Sequence, residues 1–96
     1  MRDPIESIIP RGRENAISLK ALAQITGISE RRVRIKMEAA RKRGVIILNF
    51  QDGRGYFQSE DIEDIQKQFE ANERRTKSIQ AQQRFLRIRL MKAGRL

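Results

Sequence analysis

Between Ser29 and Lys42 the chain reads Ser-Glu-Arg-Arg-Val-Arg-Ile-Lys-Met-Glu-Ala-Ala-Arg-Lys. These side chains suit a partner that presents phosphates and base edges. A guanidinium offers two parallel N–H donors that match a guanine edge, and a carboxylate accepts from a cytosine amine. Val33, Met37 and Ala40 recur at i, i+4 and i+7, the spacing of one buried helical stripe. With that stripe turned inward, Ser29, Arg31, Arg32, Ile35 and Glu38 are the expected base contacts. Arg34, Lys36, Lys42 and the more distant Arg54 are the expected phosphate contacts. An exposed Ile35 suits a thymine methyl and an apolar protein surface equally. Arg54 suits phosphate or minor-groove contact and plain turn solvation nearly equally. The competing reading of the whole stretch is a solvated basic face.

The flanking residues predict the elements that would hold these side chains. Ser18 caps a short helix whose apolar face is Leu19, Leu22, Ala23 and Ile25. Gly27 ends it in the left-handed region, and Ser29 caps the next helix. Ala23 is small where two helices joined by a tight turn must cross. Gly44 closes the basic helix, with Arg41, Lys42 and Arg43 at its negative dipole end. Val45–Phe50 is apolar and rich in β-branched residues, Asp52-Gly53 and Gly55 supply turn chemistry, and Tyr56-Phe57 starts a return strand. A β-hairpin directly after a basic helix is a wing.

These residues, Leu22-Ala23, Gly27-Ile28-Ser29, Val33, Met37, Arg41, Gly44-Val45 and Gly53-Arg54-Gly55-Tyr56, make residues 18–58 resemble the winged helix-turn-helix of the biotin repressor N-terminal domain. The resemblance implies a double-stranded-DNA-binding fold; it does not imply biotin chemistry, because the ligase domain is missing. More loosely, the layout is similar to small DNA-binding proteins of temperate phages and prophages of Gram-positive bacteria, with Arg11–Ser18 as the lead-in.

Composition agrees with an anionic partner. The 96 residues hold 21 Lys and Arg against 12 Asp and Glu, a net charge of +9. Residues 1–44 carry +6, 59–72 carry −4 and 73–96 carry +7, so an acidic collar separates two basic regions. Histidine and cysteine are absent, which removes the commonest general base, the commonest metal ligands and any disulfide. No glycine-rich phosphate loop or paired-carboxylate cleft is legible. We expect no catalytic, cofactor or metal site, and no enzyme. No apolar run approaches the ~20 residues of a membrane span, and the start lacks a secretory pattern, so the expected location is cytoplasmic.

Before the motif, Asp3–Ile9 suits a short helix with Pro4 in its first turn, ended by Pro10, its Ile5, Ile8 and Ile9 packing onto the motif. Arg11, Gly12 and Arg13 read mainly as a basic loop, more weakly as a phosphate cradle, and Ala16-Ile17 as a third strand beside the wing. After the motif, Ser59 is the expected cap of a helix from Glu60 to Lys92. Glu60, Asp61, Glu63 and Asp64 suit its N-terminal dipole rather than a metal. Ile62, Ile65, Phe69, Asn72, Thr76, Ile79, Gln83, Leu86 and Leu90 follow the 3-4 spacing of a coiled coil. Ile62, Ile65 and Phe69 are expected to pack on the winged domain. Ile79, Phe85, Leu86, Ile88, Leu90 and Met91 are expected to meet a partner, most economically a second copy.

The expected fold is mainly α with a small β-hairpin wing and a long C-terminal helix: residues 1–58 form the winged domain and 59–96 the oligomerising helix, with Asn72, Ile79, Leu86 and Leu90 at the homodimer seam. Three functions compete. The first is a site-specific transcriptional regulator of a phage or mobile element. The second is a replication or recombination accessory protein that recruits a second protein through residues 73–96. The third is an enzyme. For the tail, a frayed basic segment that orders only on DNA competes with the pairing helix, and a basic membrane-surface helix ranks last, because its apolar residues scatter around the helix.

Overall fold

The computed structural model describes residues 4–96, and Asp3, placed above in the first helix, lies outside them. Two helices come first after the lead-in: α1, Leu19–Thr26, and α2, Glu30–Lys42. The strands β1, Ile47–Leu48, and β2, Phe57–Gln58, pair antiparallel, with Ile47 opposite Gln58 and Leu48 opposite Phe57. A 31-residue helix, α3, Ile62–Lys92, completes the chain. The mainly helical fold with a small hairpin and a long last helix is the one the sequence predicts.

Local chemistry sets the first two helices. Ser18 Oγ accepts from the Ala21 N–H and Ser29 Oγ from the Arg32 N–H, at 3.1 and 3.2 Å. Between them Gly27, at φ 74°, takes the left-handed position that stops α1. Gly44 does the same for α2, where the Val45 N–H reaches back to the Ala40 carbonyl. The core is Ile5, Ile9, Leu22, Val33, Met37, Ala40 and Ile47, with Ala23 packed at its edge. Ile25, expected on the apolar face of α1, is instead exposed. At 100° per residue Ile25 lies about 120° around the helix from Leu19, off the side that Leu19, Leu22 and Ala23 share.

Several boundaries differ from expectation. The first segment makes only a 3₁₀ turn, Ile5–Ser7, with Pro4 as its cap rather than inside it, yet Ile5 and Ile9 are buried as expected. The expected strand Val45–Phe50 pairs only at Ile47 and Leu48. Beyond them the Tyr56 N–H and carbonyl face Ile17, so the Asn49 N–H points away from β2 and donates to Gln68 Oε1 of α3 at 2.9 Å. Ile17 bridges Tyr56 antiparallel, the third-strand contact expected of Ala16-Ile17. Ser59 is not the cap of α3. Asp61 is, accepting from the Glu63 N–H at 2.9 Å, while Ser59 Oγ donates to Asp64 and accepts from the Asp61 N–H. The helix therefore begins two residues later than predicted.

The docking of α3 also differs. Ile62 is 71% and Phe69 62% exposed, so neither packs on the domain; Asp64, Ile65, Gln68 and Ala71 are the residues that lose surface. Gln68, between two expected seam positions, accepts from the N–H of Asn49, the residue after β1.

Candidate nucleic-acid interface

α2 is anchored by one face and free on the other. Val33, Met37 and Ala40 are fully buried against α1 and the N-terminal turn. At 100° per residue this places Arg31, Ile35, Glu38 and Lys42 on the far side, and all four are exposed. Arg34 lies on the flank toward Arg41, and Arg32 on the flank toward Lys36. Ile35, at 58% exposed, stands in the middle of these charges with no apolar neighbour to cover it. Among the described residues, none of Arg31, Arg32, Arg34, Lys36 and Lys42 is in an ion pair.

The expected site residues are not equivalent. Ser29 spends an Oγ lone pair on its cap and keeps its O–H to donate. Lys36 is half-buried, its stem beside Pro4, Ile5, Ala39 and Arg43. Glu38 lies 4.0 Å from Arg41 and faces a groove of about 440 Å³ between α2, the hairpin and α3. Arg54, at the wing tip, lies 3.9 Å from Asp52 and remains largely exposed.

The wing itself is held in place by a residue read in sequence as part of a basic loop. Arg13 donates to Asp52 Oδ2 at 2.8 Å and lies over the Phe50 ring at 5.1 Å. Phe50 in turn meets Phe57 edge to face at 5.2 Å. The Arg13 hydrogen bond, and after it the Arg54 N–H, hold the Asp52 carboxyl below its ordinary value of 3.8. The phosphate cradle considered for Arg11-Gly12-Arg13 is not formed. The Gly12 N–H donates to the Gln58 carbonyl, Arg13 is committed to Asp52, and Arg11 lies 3.8 Å from Glu60.

Two more arginines turn inward. Arg41 Nε donates to the Ile47 carbonyl at 3.1 Å and its guanidinium lies over Tyr56. Arg43 pairs with Glu6 at 3.1 Å. The structure thus sorts the basic residues: Arg13, Arg41 and Arg43 brace the fold, and the unpaired cations concentrate on the outer side of α2 and along the distal part of α3. Nothing in local spacing distinguishes the two groups, because Asp52 is 39 positions from Arg13 and Glu6 is 37 from Arg43. Gln58 was also illegible. Its Nε2 donates to the Glu6 and Ile9 carbonyls at 2.6 and 2.8 Å, tying the N-terminal turn to the hairpin.

Among the described residues no helix is long and apolar enough to cross a membrane. Comparison of the chain with protein families, with curated proteins and with solved structures finds no match.

Proposed function

We propose that the protein is a site-specific double-stranded-DNA-binding protein, a binding module rather than an enzyme, acting as a homodimer through α3 in the cytoplasm. One observation carries this reading. α2 has a completely buried inner face and an outer face of unpaired Arg31, Arg32, Arg34 and Lys42 around an uncovered Ile35, next to a braced wing tip. A soluble helix needs charge on its outer face, but it gains nothing from an isoleucine there. A major groove offers guanine edges and thymine methyls together. The regulatory role, and its place in a phage or mobile element, rest on the resemblance carried by residues 18–58 and the Arg11–Ser18 lead-in.

Selection of duplexes from a random pool at about 150 mM salt tests the reading. The expected product is an inverted repeat whose half-sites lie about one helical turn, ~10 base pairs, apart. On that site Arg31→Ala or Arg32→Ala costs about 1–3 kcal/mol of specific affinity and relaxes preference at one base pair. An unenriched pool refutes site-specific binding. The exposed apolar end of α3 favours a second reading, recruitment of another protein during replication or recombination; a chain that captures no self-partner and no preferred sequence returns to it.

A further inference from the structure

We infer that α3 pairs antiparallel with α3 of a second copy, in one register. This rests on the homodimer reading of α3 and is independent of whether the partner of α2 is DNA. Every residue from 72 to 96 is exposed, although Ile79, Leu86 and Leu90 continue the 3-4 stripe begun by Ile62, Ile65 and Phe69. A helix of this length does not keep such a stripe in water without a partner.

Charge decides the direction. Residues 59–72 carry −4, whereas 83–96 carry five basic side chains and no acidic one. A parallel pair sets each block beside its own kind. An antiparallel pair sets −4 against +5 at both ends.

The polar members of the stripe decide the register. Running antiparallel, the position opposite Thr76 is Ile79 of the second copy when Asn72 lies opposite Gln83, Phe69 opposite Leu86 and Ile65 opposite Leu90. This matches polar with polar and apolar with apolar at three of the four levels. A shift by one heptad in one direction sets Gln83 against Ile65; in the other it sets Asn72 against Leu90. The first of these also matches three of its four levels, but each shift buries an amide against a hydrocarbon, whereas Thr76 opposite Ile79 leaves only a hydroxyl, which can bond the Asn72 carbonyl of its own helix. The same register also brings residues 59–72 alongside 83–96.

The pairing has a geometric consequence for the two domains. Each is fastened to its own α3 at Gln68, whose side chain accepts from the Asn49 N–H. In this register Gln68 lies opposite Arg87, so the two attachment points are about 28 Å apart along the axis at ~1.5 Å per residue. That is near the ~34 Å of a DNA helical turn, whereas a parallel pair leaves them side by side.

The chain has no cysteine, so placed cysteines report alone. Phe69→Cys and Leu86→Cys both replace exposed residues of α3. Under mild oxidation the doubly substituted chain is expected to become a covalent dimer, and each single variant to stay uncrosslinked. The two positions lie about 26 Å apart on one helix, too far for a disulfide within a chain. Covalent dimer from Leu86→Cys alone means parallel helices and overturns the inference while keeping the homodimer. No crosslink in the double variant, with a dimer mass by sedimentation, overturns the register. A monomer mass at tens of micromolar overturns both the inference and the homodimer. DNA binding by the reduced protein is measured separately.

Discussion

Single side chains determine which parts of this basic chain are structural. Gln58 spends both amide hydrogens on carbonyls of the N-terminal turn, and its backbone N–H donates to the Pro10 carbonyl at 2.8 Å. Gln58→Leu keeps the volume but leaves the Glu6 and Ile9 carbonyls without their donor. Urea unfolding of this variant is expected to show a loss of about 1–3 kcal/mol. Asp52 acts at the other end of the hairpin. Its carboxyl titrates below its ordinary value, so the stability it supplies is present above that value and is lost as pH falls through the lowered one. Asp52→Asn should therefore be less stable than the parent near neutrality, and the gap should narrow as pH falls below about 4. Thermal unfolding at several pH values checks this; a gap that widens with acid contradicts it. The roles of these residues were closed to sequence reasoning for one physical cause. Their partners lie 39 to 52 positions away, and no local period encodes a contact at that separation.

At the scale of elements, periodicity and punctuation carried most of the information. The two serine caps, the glycine stops and the Val33–Met37–Ala40 stripe are determined by a few neighbouring residues, and each takes the place its pattern predicts. The hairpin is a weaker case. Its ladder is two residues long, with Tyr56 turning its backbone N–H and carbonyl to Ile17, and the Ser59 hydroxyl goes to Asp64, five residues on. A side-chain contact five residues away thus displaces the cap that Ser59 offers, and Asp61 takes its place. Gly55 shows where glycine is compulsory. It sits at φ 103° with the Ile17 carbonyl so close that an added Cβ would overlap it. Gly55→Ala is expected to cost about 1–3 kcal/mol and to loosen the Ile17–Tyr56 bridge. Hydrogen exchange at the Tyr56 N–H, bonded to the Ile17 carbonyl at 2.7 Å, reports that loosening directly. Unchanged protection in the variant contradicts the steric argument.

Across the whole molecule, burial and exposure divide the chain into a packed domain and an exposed rod. Residues 4–59 bury the core, and α3 leaves that core after Ala71 and presents a basic, partly apolar rod. Two surfaces thus carry exposed positive charge: the outer face of α2 with the wing, and the distal half of α3. The central claim is that DNA meets the first, while the second is occupied by another copy of the helix. Backbone amide shifts recorded during titration of labelled protein with a short duplex of about 16 base pairs separate the two. The account predicts the largest changes at residues 29–36 and 53–55, with residues 79–92 little affected. Changes confined to residues 73–96, with α2 and the wing tip unmoved, would contradict it.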